Sequence, residues 1–190
     1  MNKTTDFSNK NNSIIKIITI IIFIVLFILP FATTKRVSLD GKYTSKEEVA
    51  LYVMEYHELP SNYITKDGYK YMKNHNIDTK GYIIGGDTHI NEGQFETFDV
   101  NNIQTLKECD IVDESYSLTN RGKKRIVYTC NNKNVKVFYT DDHYENYEEI
   151  THFELQLTRN IFWIIFGVYL VVFISIHIVL SKAKKVHELS

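Results

Sequence analysis

The stretch YHELPSNYITK at residues 56–66 lies between two predicted helices and fixes where one ends and the next begins. Upstream, residues 45–48 read SKEE, a capping box in which a serine hydroxyl and a glutamate carboxylate exchange hydrogen bonds with first-turn amides. An apolar stripe at helical spacing follows, and Pro60 ends that helix. Thr65 is placed to cap a second helix that runs to about Asn74. The middle of the chain therefore begins with two short helices.

The chain after these helices has the pattern of short β-strands. Residues 84–87 read IGGD, a strand that leads into two glycines, which allow an unusual backbone conformation. Further strands are predicted at residues 103–112, 125–130, 135–139 and 148–153, with turns at 120–122 and 131–134. Helices followed by antiparallel strands predict the α+β class, with N-terminal helices packed on an antiparallel sheet.

Two apolar runs flank this segment and have the composition of transmembrane helices. The second, residues 161–180, holds 20 residues without Lys, Arg, Asp or Glu, enough to cross a hydrocarbon core about 30 Å thick. The first, residues 17–32, holds 16 residues, and Lys16 can lengthen it by snorkelling. The basic segment before it also fits a signal peptide, but residues 32–34 form a poor cleavage site, which favours an uncleaved anchor.

These runs divide the chain into five segments. They are a tail at residues 1–16, a transmembrane helix or uncleaved signal anchor at 17–34, a middle domain at 41–151, a transmembrane helix at 161–180 and a tail at 181–190. Three lysines follow the second span closely, whereas only Arg159 precedes it, so we expect both tails in the cytoplasm. The predicted location is the cell membrane, with the middle domain extracellular.

Charge is segregated along the chain. Residues 40–154 hold 13 Lys/Arg against 21 Asp/Glu, a formal charge of −8, whereas the whole chain stands at −1. A surface of this sign attracts polyanions weakly or repels them at long range. The two cysteines, Cys109 and Cys130, can form one disulfide in an outward-facing domain or stay as two buried thiols, and the sequence leaves both alternatives open.

The middle domain contains the residue types that phosphodiester cleavage requires. Glu108 supplies a carboxylate, His143 lies in the stretch TDDHY at residues 140–144, and Arg121 and Arg125 supply cations. RNA carries its own nucleophile, the 2′-hydroxyl, so cleavage needs a base for that proton, an acid for the leaving 5′-oxygen and cations for the phosphate charge. This chemistry uses no metal and no cofactor, and the other histidines lack the spacing of metal ligands.

Three motifs carry a resemblance to a known family. Residues 56–66, 84–87 and 140–144 occur in the order, and near the spacing, found in the small secreted guanyl-preferring ribonucleases of the barnase and binase type. The resemblance extends over residues 41–151 and includes neither apolar run. It implies the microbial ribonuclease fold for the middle domain, flanked here by two transmembrane helices.

The resemblance also implies roles for individual residues. Glu108 corresponds to the general base and His143 to the general acid, and Tyr144 to the aromatic residue beside the acid. The cations that would contact the phosphate are Lys66, Arg121 and Arg125. Asn91 and Glu92 fall in the guanine-binding loop, where Glu92 would hydrogen-bond the base.

The function implied is that of a membrane-anchored endoribonuclease. It would cleave single-stranded RNA, after guanosine, through a 2′,3′-cyclic phosphate and without a metal ion. The expected partners are RNA, the membrane and a small protein inhibitor of the barstar type.

The sequence also departs from the family pattern. The guanine-binding loop is one residue shorter, His89 and Ile90 replace an aromatic and a small polar residue, and the domain is acidic where the familiar enzymes are mildly basic. These changes favour an alternative, in which a catalytically weakened domain of the same fold acts as a cell-surface binding module. Retention of Glu108, Arg121 and His143 favours the enzyme.

Overall fold

The computed structural model describes residues 3–91, 95, 106–129 and 135–188, with side chains for 14–91, 95, 106–129 and 135–178. The chain forms two compact units. One combines Met1–Lys35 with Gln156–Ser190, and the other is Arg36–Leu155. The predicted turn at 131–134 and the beginning of the predicted strand at 103–112 lie outside the described residues.

The first unit is a pair of long helices, α1 at Lys3–Ala32 and α5 at Leu157–Glu188. Within them, Ile14–Ala32 and Leu157–Ile178 have mean hydropathies of 3.0 and 2.5. Both segments are long and apolar enough to cross a membrane by length and composition.

Aromatic side chains join α1 to α5. Phe31 packs against Trp163 with ring centroids 5.5 Å apart, near the end of α1 and the beginning of α5. Further along, the Tyr169 hydroxyl donates a hydrogen bond of 3.0 Å to the Thr19 carbonyl. Because late residues of α1 meet early residues of α5, the two helices are antiparallel.

A buried glutamine just before α5 pairs with the backbone of a residue just after α1. The Gln156 Nε2 donates to the Lys35 carbonyl at 2.8 Å, and its Oε1 accepts from the Lys35 amide at 3.0 Å. This pairing satisfies both polar atoms of a side chain whose burial without partners would be costly. The two residues that flank the second unit are therefore held side by side.

The described part of the second unit contains three helices and six strands. The helices are α2 (Lys46–Tyr56), α3 (Lys66–Asn74) and α4 (His152–Leu155). The strands are β1 (Tyr63–Ile64), β2 (Ile83–His89), β3 (Leu106–Asp110), β4 (Arg125–Thr129), β5 (Val137–Thr140) and β6 (Glu148–Ile150).

Both predicted N-terminal caps are present, but α2 ends at Tyr56, four residues before Pro60, which was predicted to end it. Ser45 caps α2 by accepting from the Glu48 amide, and Thr65 caps α3 by accepting from the Gly68 amide at 3.1 Å. His57 ends α2 in the left-handed conformation, with φ of 61°. The short connection to Thr65 thus places the start of α3, and with it Lys66, beside the sheet.

The six strands form one sheet in the order β1-β2-β3-β4-β5-β6. β1 pairs with β2 in parallel, and each later pair is antiparallel. The predicted α+β class, with helices on a mostly antiparallel sheet, is confirmed. The short strand β1 and helix α4 were not predicted, and β3 ends at Asp110, two residues before the predicted end.

Both faces of the sheet are covered by apolar side chains. On one face, Cys109, Ile126 and Tyr128 pack against Val49 and Val53 of α2. Burying a side chain of this size stabilises the fold by about 1.5–3 kcal/mol. On the other face lies a second cluster that consists of Phe95, Leu106, Val127 and Phe138. Cys109 is a buried free thiol, and Cys130 lies outside the described residues.

Candidate active site

Strand register collects polar side chains on the sheet face that α2 does not cover. Glu108 and Asp110 project from the same face of β3 because side chains alternate along a strand. Asp110 lies opposite Arg125 of β4, which lies opposite Thr140 of β5. Thr140 leads directly into the loop that carries His143. One end of this face therefore holds two carboxylates, a buried arginine and the histidine loop.

Glu108 is the buried centre of this arrangement. The Lys66 ammonium lies 3.0 Å from Oε1, while the Tyr144 hydroxyl and the His89 Nδ1 lie 2.9 Å and 3.0 Å from Oε2. Burial alone raises the pKa of this carboxyl, but the hydrogen bonds from His89, Lys66 and Tyr144 outweigh burial and lower the pKa to about 2. Glu108 is therefore ionised at neutral pH.

The hydrogen bonds divide unequally between the two Glu108 oxygens. Each carboxylate oxygen offers about two acceptor sites. Among the described residues, Oε2 accepts from both His89 and Tyr144, whereas Oε1 accepts from Lys66 alone. Within the part of the chain that the structure describes, Oε1 therefore keeps an acceptor site for a bound molecule.

Asp110 is fully buried and binds two arginines. Arg121 donates to it through Nε and Nη2, both at 2.7 Å, in the bidentate geometry of the strongest carboxylate pairs. The Arg125 Nε lies 3.1 Å from Asp110 Oδ1, within ion-pair distance but without the alignment of a hydrogen bond. The buried carboxylate thus holds two positive charges at the edge of the site.

The two arginines differ in accessibility. The Arg125 guanidinium is buried and donates to the carbonyls of Arg121, Gly122 and Lys124, so it clamps the turn that precedes β4. The Arg121 side chain is 27% exposed, against 4% for Arg125. Arg121 is therefore the arginine of this pair that can contact a ligand directly.

His143 lies in a loop whose backbone is strained. His143 and the following Tyr144 have φ of 68° and 79°, a left-handed conformation that costs bulky residues free energy. This pair of conformations leaves the His143 side chain exposed while the Tyr144 ring turns inward to reach Glu108. The two rings stay in contact, with centroids 4.8 Å apart. The imidazole thus borders the phenol that binds the carboxylate.

Asp142 holds this loop in place. Its Oδ1 accepts from the Thr140 hydroxyl at 2.7 Å and from the amides of Glu145 and Asn146 at 3.0 Å each. Its Oδ2 accepts from the Asn146 side-chain amide at 2.6 Å. The bonds from Asn146 and Thr140 favour the charged form and lower the pKa of Asp142 to about 2.

The residues predicted for the site are placed as follows. Lys66 and Tyr144 bind Glu108 directly, Arg121 and Arg125 meet at Asp110, and His143 adjoins Tyr144. Asn91 is exposed, two residues beyond the end of β2. Glu92 lies outside the described residues.

Two further residues belong to this network and were not predicted. Asp110 follows Glu108 at the spacing that puts both on one strand face. Arg121 and Arg125 further along the chain could have been predicted as ion-pair partners of Asp110. His89 is the last residue of β2 and lies 3.0 Å from Glu108 through Nδ1. Its contact depends on the pairing of β2 with β3, which the sequence pattern did not reveal.

Across the described residues, no group of three or more His, Cys, Asp or Glu side chains is arranged to hold a metal ion.

The middle of the chain matches a known family. A family model described as ribonuclease matches residues 46–151, which is more than half of the 190-residue chain. The chain belongs to this ribonuclease family, a class of RNA-cleaving endonucleases. The matched segment contains every strand described above and the whole candidate site.

Proposed function

We propose that this protein is a membrane-anchored endoribonuclease that cleaves single-stranded RNA by transphosphorylation. The observation that carries the proposal is the environment of Glu108. An ionised carboxylate lies between a lysine and a tyrosine, and a histidine borders that tyrosine. Counting only bonds from described residues, its Oε1 has one acceptor site left. The reaction requires a base and an acid within reach of one scissile linkage.

In the proposed reaction, Glu108 takes the proton of the 2′-hydroxyl, whose oxygen then attacks the adjacent phosphorus. His143, in its protonated form, gives a proton to the departing 5′-oxygen as the P–O bond breaks. The product is a 2′,3′-cyclic phosphate, which water hydrolyses in a second step with the two roles reversed. The reaction uses no metal ion or cofactor.

The cations act on the phosphate charge. The Arg121 side chain is partly exposed beside Asp110, and its fixed guanidinium is suited to two phosphate oxygens at once. Lys66 adds a charge next to Oε1 of Glu108, the oxygen that takes the proton. Arg125 is buried, so its contribution is to orient Arg121 and to add positive potential near Tyr144, whose ring lies 6.0 Å from its guanidinium carbon.

The preference for guanosine rests on the barnase-type resemblance. Asn91 and Glu92 would bind the base, because a carboxylate can accept from the two donors on one edge of guanine. Cleavage of GpN dinucleotides against ApN dinucleotides measures this preference. Equal rates for the two would remove guanine from the proposal and leave the nuclease intact.

The test of catalysis uses the full chain in detergent micelles with a single-stranded RNA oligonucleotide and a chelator. Wild type is expected to give a 2′,3′-cyclic phosphate product. Glu108→Gln and His143→Ala are each expected to lower kcat/KM by about 10²–10⁴-fold, because each removes one partner of the proton transfer. Glu114→Gln and His152→Gln, at exposed positions outside the site, are the matched controls.

The binding-module alternative keeps one observation in its favour, the charge of −8 over residues 40–154. Its outcome in the same experiment is distinct. A wild-type chain that gives no product, yet has the near-ultraviolet circular dichroism of a folded tyrosine-rich domain, would replace the enzyme with the binding module.

We further propose that both apolar helices span the cell membrane, that the ribonuclease domain lies outside and that both tails lie in the cytoplasm. The three lysines after the second span support this orientation. A small inhibitor of the barstar type is a proposed partner, because a ribonuclease made in the cytosol threatens the cell's own RNA until export.

Protease accessibility tests the orientation. Trypsin added to intact cells is expected to remove the domain and to spare a tag placed at residue 190. A domain that survives while the tag is lost would reverse the orientation.

A further inference from the structure

His89 is a buried imidazole within the candidate site. It ends β2, and its side chain is 8% exposed. Three aromatic rings surround it, with centroids 5.9 Å away for Phe95, 5.2 Å for Tyr144 and 6.5 Å for Tyr147. A titratable side chain is rarely placed among aromatic rings unless it has a polar partner. Its partner here is Glu108.

The hydrogen bonds of His89 fix which nitrogen carries a proton. An ionised carboxylate only accepts, so Nδ1, 3.0 Å from Glu108 Oε2, must be the donor. Nε2 lies 3.5 Å from the Tyr147 hydroxyl, which can donate to a neutral imidazole or accept from a charged one. His89 therefore keeps its bond to Glu108 in either charge state.

We propose, building on the nuclease assignment above, that His89 is a positioning residue for the base. It occupies Oε2 of Glu108, so the carboxylate stays ionised and presents Oε1 to the 2′-hydroxyl. The consequence is a wider working range on the acid side, because the base resists protonation as the pH falls. His89 itself does not touch the reacting atoms.

Other charged and titratable groups also face this pair, and the His89 variants retain all of these residues. Lys66 of α3 binds Oε1, and Tyr144 shares Oε2 with His89. Tyr147 borders the far side of the imidazole, and Arg125 of β4 lies beyond the Tyr144 ring. Their influence on Glu108 is common to wild type and variant. A difference between the acid limbs of the two chains therefore reports the effect of His89.

The experiment compares His89→Phe with wild type as full chains in micelles. Phe keeps an aromatic ring in the aromatic surroundings and removes the donor to Oε2, together with the 3.5 Å contact between Nε2 and the Tyr147 hydroxyl. The acid limb of kcat/KM against pH reports the base of the free enzyme. We expect this limb to move up by about one to two pH units, because a lost hydrogen bond to a carboxylate raises its pKa by that order. The basic limb is expected to stay, because the proposed acid is the same in both chains.

Two further variants separate positioning from packing. His89→Gln retains a neutral donor to Oε2, so its acid limb is expected between those of wild type and His89→Phe. His152→Gln removes an exposed imidazole outside the site and should leave the whole profile unchanged. A residue that only packs would change the rate equally at all pH values and would leave the acid limb where it was.

The titration of Glu108 itself gives a reading independent of catalysis. Carboxyl ¹³C shifts of glutamate-labelled chains, assigned with Glu108→Gln, are expected to show Glu108 titrating at higher pH in His89→Phe than in wild type. Titration at the same pH in both chains would overturn the inference. Wild type without RNA cleavage at any pH would instead remove the nuclease assignment, and the carboxyl titration would still decide the role of His89.

Discussion

At the scale of single residues, the most unusual feature is the backbone at His143 and Tyr144. Two successive non-glycine residues at positive φ cost about 1–3 kcal/mol each, and such strain persists only where surrounding bonds enforce it. Here the enforcing group is Asp142, which accepts four hydrogen bonds within its own loop. This strained backbone points two neighbouring side chains in different directions. His143 is exposed, and Tyr144 turns inward to Glu108.

Removing the Asp142 carboxylate should release this loop. In Asp142→Ala we expect kcat/KM to fall by about 10²-fold, because displacement of an acid by about 1 Å is enough for such a loss. Asp142→Asn keeps Oδ1 as an acceptor for Thr140 and for the two amides and should recover most of the rate. Steady-state cleavage of an RNA oligonucleotide measures both.

Asp141→Ala is the matched control for this loop. Asp141 has the same charge, lies one residue away and is exposed. If Asp141→Ala lost as much activity as Asp142→Ala, loop charge rather than loop geometry would be responsible.

The sequence predicted part of this site. Glu108, Lys66 and Tyr144 were expected in one place, and Lys66 and Tyr144 each donate a hydrogen bond to Glu108. Their catalytic roles stay predictions, as do those of His143, Arg121 and Arg125. The contact between His89 and Glu108 was not predicted, because it depends on which residues of β2 and β3 lie side by side.

At the scale of elements, the register of β2 depends on Gly85. The pairing of β2 with β3 shifts between Gly85 and Asp87, which is the signature of a bulge. A Cβ on Gly85 would lie 2.5 Å from the Cys109 Cβ and 2.7 Å from a Tyr63 ring carbon. The absence of a side chain at this position lets β1, β2 and β3 approach each other. The position of Glu108 beside β2 depends on that close approach.

We expect Gly85→Ala to lower the free energy of unfolding of the domain by about 1–3 kcal/mol, the usual cost of forcing extra volume into a packed interior. Urea unfolding followed by near-ultraviolet circular dichroism of the tyrosines measures this change. Thr88→Ala, on the same strand but exposed, is the control and should stay within about 0.5 kcal/mol of wild type. A Gly85→Ala chain as stable as wild type would show that β2 can shift to make room.

Elements with local signals were predictable, and those defined by a partner were not. Ser45 and Thr65 start α2 and α3 through bonds to amides three residues on, so the sequence alone places them. The strand β1 has only the two residues Tyr63–Ile64, and it exists because Ile83 and Ile84 lie beside it. No periodicity can be read from a strand of that length.

At the scale of the whole molecule, charge opposes the substrate. Residues 40–154 carry −8, so we expect a long RNA to be repelled before it reaches Lys66 and Arg121. Basic nucleic-acid-binding proteins lose affinity as salt rises, because binding releases counterions. Here the repulsion by the acidic surface has a longer range than the attraction by the cations of the site. Added salt screens the repulsion more strongly, since the Debye length falls from about 30 Å at 0.01 M salt to about 8 Å at 0.15 M.

We therefore expect kcat/KM for a long single-stranded RNA to rise, by up to about tenfold, between about 0.01 M and 0.15 M sodium chloride. A dinucleotide with one phosphate is the control and should respond much less. A steep fall for the long RNA over this range would mean that local cations, and not the acidic surface, govern capture.

The pairing of Gln156 with Lys35 has a consequence for how such a chain can be built. Because these two residues of the helical unit pair through one side-chain amide, a long segment can be inserted in the chain between them without separating the two helices at that point. The sequence of the helix pair and the sequence of the inserted segment can then change independently. An engineer could likewise mount any cargo with adjacent termini on the same pair of apolar helices.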